Sequence, residues 1–282
     1  MALDCNQEWE SFCSDSFNYV HDEENDKNYL GENIPKCGDI YISTKTMIAY
    51  LSSSIDIHNL FWDIPIMKYS SPNVGVLKKQ IKISFKNSQE IETYKSKIVN
   101  EYIVDEYIIS QVKNDTKFKD IRKISIGLCK KDITTNRCKK KSAFYNCFVL
   151  IFRIKYQNEF REAHVKVFNT GKLEIPGVQS DDFLKIVLDT LVDTLNKSGD
   201  LNISYNKFNI ETVLINSNFN CGFYLDREKL YDLLKYKYNI HSSFDPCSYP
   251  GIMSKFYYDL DNITEQTGIK PTNNENYATI SF

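Results

Sequence analysis

The sequence predicts an α+β fold: one antiparallel sheet with its helices on one side. Three observations lead there. Residues 142–178 contain three strand-like runs in succession, "SAFYNCFVLIFRIKY", "FREAHVKVFNT" and "KLEIPGV", joined by turn residues into a meander. A strongly amphipathic helix follows over 181–196, where Phe183, Leu184, Val187, Leu188, Leu191, Val192 and Leu195 form one apolar stripe behind a Ser180 or Asp181 cap. The element order then begins again after residue 200, which marks a degenerate internal repeat.

Taken in order, residues 1–38 form an acidic lead-in, with at most a short helix around Glu8–Phe12. Its first thirty residues hold eight acids against Lys27 alone, so the remaining chain carries 34 bases and 29 acids, a net of +5. "DIYISTKTMIAYL" (39–51) is β-rich with partial alternation. Asp56 caps a helix bearing Ile57, Leu60, Phe61 and Ile64, which Pro65 ends. "SSPNVGVLKKQIKISF" (70–85) is a turn and a second strand, and 88–113 reads as helix from its Ile and Tyr spacing. "IRKISIGLCK" is a further strand inside a basic stretch, 117–141, that holds ten bases against Asp120 and Asp132.

In the second half, "FNIETVLINSNFNCGF" (208–223) is a strand and "LDREKLYDLLKYKY" a helix capped by Asp226. "FDPCSYPGIMSKFYY" (244–258) is a turn and strand, and the copy stops at "YATISF". The domain reading is therefore a lead-in 1–38, a first repeat 39–200 with an insertion at about 86–142, and a second repeat 201–282 that looks C-terminally truncated. The insertion is expected outside the main sheet with its bases facing solvent.

No catalytic pattern is present: His58, His164 and His241 are scattered, no Walker or dinucleotide glycine pattern occurs, and Asp181-Asp182 is a helix start. Cys129, Cys138 and Cys147 are evenly spaced but lack the close pairs of a zinc site, and they fall on predicted strands. No enzyme activity, metal or cofactor is expected. No apolar run approaches a membrane span, and "MALDCNQEWESFCSDSF" lacks the basic and apolar regions of a signal peptide. The eight cysteines are read as reduced intracellular thiols.

The hairpin "HVKVFNTGKLEIPGV" (164–178), the repeated strand–helix–strand order, the long helix, and the Pro-Gly strand closing 212–255 together resemble the TATA-box-binding protein family. More narrowly, they resemble its divergent members in large nucleocytoplasmic DNA viruses. The resemblance covers roughly 40–85 and 143–282. It implies a saddle: a curved antiparallel sheet from two repeats, a concave underside on the DNA minor groove, and helices on the convex side. It implies double-stranded A/T-rich DNA as ligand, and a viral RNA polymerase and a TFIIB-like factor as partners. It implies a place inside the host cell, in a cytoplasmic viral factory or the nucleus, with packaging in the virion as a further destination. Neither membrane nor small-molecule substrate is implied.

Alignment puts Leu214, Asn216 and Asn218 on the groove face of the second repeat, and Thr44, Thr46 and Ile48 on that of the first. Phe168 stands at a wedge position with Lys172 past the turn at a phosphate; Tyr249 stands at a second wedge and Lys255 at a second phosphate. The first-repeat wedge partner aligns to Val74; the alternative alignment uses "NCFVLIFRI", with Arg153 as the basic residue and Cys147 or Phe148 near the wedge. Glu174 and Pro176 depart from the family's small apolar contacts, and a fourth wedge would lie beyond Phe282. The alternative function is a protein-interaction scaffold of the viral transcription machinery that kept the saddle with little or no DNA binding.

Overall fold

The computed structural model describes residues 36–114, 117–135, 144–272 and 275–282. The described residues divide into two units, 40–219 and a second made of 36–39 with 220–282. The expected acidic lead-in and its short helix lie almost wholly outside the described residues, as does Cys138.

The larger unit is built on a curved, eight-stranded antiparallel sheet. Its strands are β1 (Tyr41–Tyr50), β2 (Gly75–Phe85), β3 (Val104–Asn114), β4 (Lys117–Gly127), β5 (Cys147–Tyr156), β6 (Glu159–Phe168), β7 (Lys172–Val178) and β8 (Glu211–Asn218). They lie in the order β3-β4-β2-β5-β6-β7-β1-β8. The expected meander is present as β5-β6-β7, with Cys147 opposite Phe168 and Lys166 opposite Glu174.

Helix α1 (Ile57–Asp63) starts where expected: the Asp56 carboxylate accepts from the backbone N–H groups of His58 and Asn59. Helix α2 spans Ser88–Ile98, a short helix α3 spans Lys130–Thr134, and α4 spans Asp181–Gly199 behind a Ser180 cap. In α4, Phe183, Leu184, Val187, Leu188, Leu191 and Leu195 are buried. They join Phe61 of α1 and Leu150, Phe152, Val165, Leu173 and Ile175 of the sheet in one core. One face of the sheet is therefore apolar and covered by α1, α2 and α4, as a half-buried antiparallel sheet requires.

Two expectations fail at residues 86–142. The helix predicted over 88–113 ends at Ile98, and 104–114 is strand. Ile103 takes a left-handed φ of 52° at the break, and the β-branched and aromatic run after it pairs with β4 from Val104 to Asn114. Nor does this segment lie outside the sheet: β4 pairs with β2 over Lys78–Phe85, so the β3–β4 hairpin extends the sheet at one edge. Its bases are not all solvent-facing either. Arg122 is buried on the helix face, bonded to Asp120 and Glu106, with Tyr94 of α2 donating to the same Glu106. Cys129 is also not on a strand; it precedes α3.

The smaller unit holds helix α5 (Arg227–Asp232), capped by Asp226 as expected and running on as a π-helical turn over Leu233–Lys237. Strands β9 (His241–Phe244), β10 (Ile252–Asp259) and β11 (Tyr277–Ser281) form a three-stranded antiparallel sheet of its own. Thus β8, expected to open the second repeat, pairs with β1 in the large sheet, while the elements after it form a separate unit.

Candidate nucleic-acid interface

Strand alternation puts one set of side chains on the helix face and the other on the opposite, open face. Register identifies the second set. Met47, Ala49, Phe148, Leu150, Val165, Val167 and Leu173 belong to the core, so their neighbours in sequence point away from it. On β1 and β8 the open-face pairs are Tyr41 with Asn218, Thr44 with Asn216, and Thr46 with Leu214. Asn216 Nδ2 donates to Thr44 Oγ1 at 3.1 Å, an exposed bond across the two strands. The row continues through Ile48 beside Glu174, Glu174 beside Lys166, Lys166 beside Val149, Val149 beside Gln80, and Gln80 beside Ser125.

Six of the expected groove-face residues (Thr44, Thr46, Ile48, Leu214, Asn216 and Asn218) therefore share one face. Phe168 and Lys172 join them. Phe168 ends β6 with the parity of Lys166, and Lys172 begins β7 opposite Tyr50. The turn between them is tight: the Gly171 N–H donates to the Phe168 carbonyl at 2.9 Å, and the Gly171 carbonyl accepts from the Leu51 N–H at 2.8 Å. Gly171 has φ 84°, and a Cβ there would stand 2.6 Å from the Ser53 carbonyl oxygen, so this turn admits only glycine. The hairpin tip is thereby locked to the loop after β1, and Phe168 and Lys172 have fixed positions.

The other expected residues fall elsewhere. Tyr249 and Lys255 belong to the smaller unit, with Lys255 on β10 between His241 and Ser281. Val74 is half-exposed just ahead of β2. In the alternative alignment, Phe148 is wholly buried on the helix face and is not available as a wedge. Arg153 is committed to the loop after α1: it donates to the Tyr69 carbonyl at 2.7 Å and to the Ser71 carbonyl, and it stacks near the Tyr69 and Phe160 rings.

The unfavourable carboxylate, Glu174, is paired: Lys166 Nζ lies 2.5 Å from its Oε1. The open face also carries cations that the family alignment did not single out. Lys78 and Lys82 both lie on it, because Lys79 and Ile81 between them point to the core. The alternation Lys78, Gln80, Lys82, Ser84 against Lys79, Ile81, Ile83, Phe85 was the available signal. Lys82 Nζ sits 3.8 Å from the centroid of the Tyr145 ring, and Lys166 lies 5.9 Å from that of Phe144. Both Asp132 oxygens accept from Lys78 Nζ, at 2.9 and 2.8 Å. Burial alone would raise the Asp132 pKa, but the Lys78 ammonium and the Cys129 N–H and thiol hold it below the usual carboxylate range. Among the described residues, no cluster of three or more His, Cys, Asp or Glu could hold a metal ion. No described helix is long and apolar enough to cross a membrane.

No protein-family model matches the chain, and no curated protein matches it.

Proposed function

We propose that the open face of the large sheet binds the minor groove of A/T-rich duplex DNA, and that the chain is a transcription initiation factor of the TATA-box-binding type. In that role it would bring a viral RNA polymerase and a TFIIB-like factor to the promoter. One observation carries the reading: the cross-strand row Tyr41/Asn218, Thr44/Asn216 and Thr46/Leu214 on the face turned away from the helices. The minor groove presents mainly the N3 and O2 acceptors of A·T pairs. A ladder of short amides and hydroxyls beside apolar groups can donate to those acceptors without carrying a dense code. Phe168, held at a strand end by a locked turn, can enter a base step and kink the duplex. Lys172 stands one turn beyond it for a phosphate. The curved antiparallel sheet with its helices on one face supports the saddle, with α2, the β3–β4 hairpin and α3 standing between the second strand and the meander.

A second reading has its own observation. Lys166 and Lys78 are neutralised by Glu174 and Asp132, as in a sheet face that serves protein assembly. One titration separates the two: anisotropy of A/T-rich and G/C-rich duplexes at several salt concentrations. Phe168→Ala should weaken A/T binding and bending together. Lys172→Ala should weaken all duplexes alike and lower the salt slope by about one unit. Asn216→Ala should narrow the gap between the two duplexes by about 1 kcal/mol or more. Weak binding indifferent to Phe168 and Asn216 would move the assignment to the scaffold.

A further inference from the structure

Residues 129–134 lie over the open face. Lys78 lies opposite Ile151, which lies opposite His164, all pointing away from the core. Above them runs α3. Its Asp132 holds Lys78, and its Lys130 N–H donates at 2.7 Å to Glu162 Oε1, which projects from β6 opposite Arg153. The segment thus bridges β2 and β6 over β5. Ile151, between those two strands, is 4% exposed, and Cys129, at the start of the segment, 3%. Lys78 keeps only 8% of its side-chain surface, against 32% for Asp132.

This cover is held almost wholly by polar contacts. No side chain of α3 is buried, and Ile133, its one apolar residue, is 57% exposed. The bonds that tie it to the sheet are those of Asp132 to Lys78 and of the Lys130 N–H to Glu162, while the Cys129 N–H and thiol donate to Asp132 within the segment at 2.9 and 3.1 Å. A carboxylate straddling an ammonium with two oxygens presents the same charge and spacing as the two free oxygens of a phosphodiester. A competitor of that chemistry has little apolar packing to undo.

We propose that residues 129–134 are an internal plug: Asp132 occupies a phosphate site made by Lys78 on the open face, and duplex DNA displaces it. The proposal rests on the reading of that face as a duplex-binding surface. Displacement removes one acid from the interface and frees the Lys78 ammonium, two open-face positions along β2 from Lys82, so duplex gains a cation that the closed state neutralises. Lys130 and Lys131, carried on the plug, are released with it to the polyanion.

The full chain tests this with two readouts, duplex titration and iodoacetamide labelling of Cys129 followed on its peptide by mass spectrometry. Lys78→Gln should speed labelling about tenfold. Loss of a nearby cation cannot raise thiol reactivity by itself, so faster labelling there reports exposure. An unchanged far-ultraviolet circular dichroism spectrum and urea midpoint in Lys78→Gln separate plug release from unfolding. Asp132→Asn should bind A/T-rich duplex about tenfold tighter with a salt slope steeper by about one unit, and the double variant should lose both gains. Saturating duplex should speed Cys129 labelling in the unaltered chain. Unchanged labelling in Lys78→Gln overturns the plug, as does bound duplex that leaves Cys129 protected. If Cys129 is released in Lys78→Gln while neither the unaltered chain nor Asp132→Asn binds duplex, the duplex reading fails. The phosphate role of Lys78 falls with it, and only the hold of Asp132 on the segment stands.

Discussion

Lys79→Met should destabilise the larger unit by about 3 kcal/mol, because one ammonium terminates α1. Lys79 is wholly buried, with its Nζ 5.0 Å from the centre of the Phe61 ring. It donates to the Ile64 carbonyl at 2.9 Å, the Trp62 carbonyl at 3.3 Å and Glu101 Oε1 at 3.3 Å. Those carbonyls sit at the C-terminal end of the helix, where partial negative charge accumulates and intrahelical donors run out. Methionine fills the same volume without a donor. Each buried carbonyl left unpaired costs about 1–3 kcal/mol. Glu101 keeps some exposure and rehydrates, and the relief of desolvating an ammonium offsets part of the loss. For a unit of this size, about 3 kcal/mol corresponds to a drop in Tm of about 6–12 °C. Trp62 fluorescence in a Trp9→Phe background follows this unit's unfolding in urea.

The pH dependence sharpens the test. Burial depresses the Lys79 pKa, and Glu101 offsets this only in part. The unfolded chain therefore binds this proton where the folded chain has shed it, in the window below the ordinary lysine value of about 10.4. Stability contributed by residue 79 rises with pH through that window, so the gap between the unaltered chain and Lys79→Met should widen from neutral pH towards 10. A Lys79→Met variant as stable as the unaltered chain, or a gap that narrows with rising pH, would refute the capping role.

Two further outcomes follow from the packing and the titration of single groups. Leu188→Ala, at a fully buried position between α4 and the sheet, should cost about 3–5 kcal/mol by urea denaturation, because the surrounding strands cannot close on the cavity. The Tyr205 phenol, pushed up to about 12 by burial and by its bond to Asp189, should be missing from the late alkaline ultraviolet transition of Tyr205→Phe.

The parts of this fold that are legible in the sequence are those fixed by local periodicity and local capping. The α4 stripe can serve only a helix that buries one face, and Asp56, Ser180 and Asp226 accept from the N–H groups two or three residues on. Residues 102–109 were not legible. Tyr102, Ile103, Tyr107, Ile108 and Ile109 satisfy helical and alternating spacings together, and β4, supplied by later sequence, decides between them. Lys78 and Lys79 are the same residue type in succession, and no local rule says which is buried. The α1 carbonyls and Glu101 select Lys79 for the core, which leaves Lys78 on the open face for Asp132, 54 residues away. The partner of Glu174 was equally hidden, because Lys166 becomes its neighbour only through the β6–β7 register.

The open face is more closed than an uncovered sheet face should be. Ile48, Ile151, Cys147, Ser125, Lys78 and Lys82 each keep less than a tenth of their surface, although α1, α2 and α4 all pack on the other side. Part of the cause is geometric. Register shifts interrupt the pairing of β1 with both β7 and β8, of β2 with β5, and of β3 with β4. Bulges bend strands and add twist, which brings side chains of neighbouring strands closer together. The rest is α3, through Asp132 on Lys78, and the rings of Tyr145 at Lys82 and Phe144 at Lys166 just ahead of β5. What stays accessible is the strip along β1 and β8, where every residue of β8 is exposed and the amide and hydroxyl ladder lies. A duplex approaching this face meets that strip first, before any charge on β2 is available to it. On this geometry the ladder would govern which duplex docks, and the cations beneath the segment would strengthen a complex already formed. Substitutions at Asn216 and at Lys78 should therefore act mainly on discrimination between duplexes and on the dissociation rate, respectively.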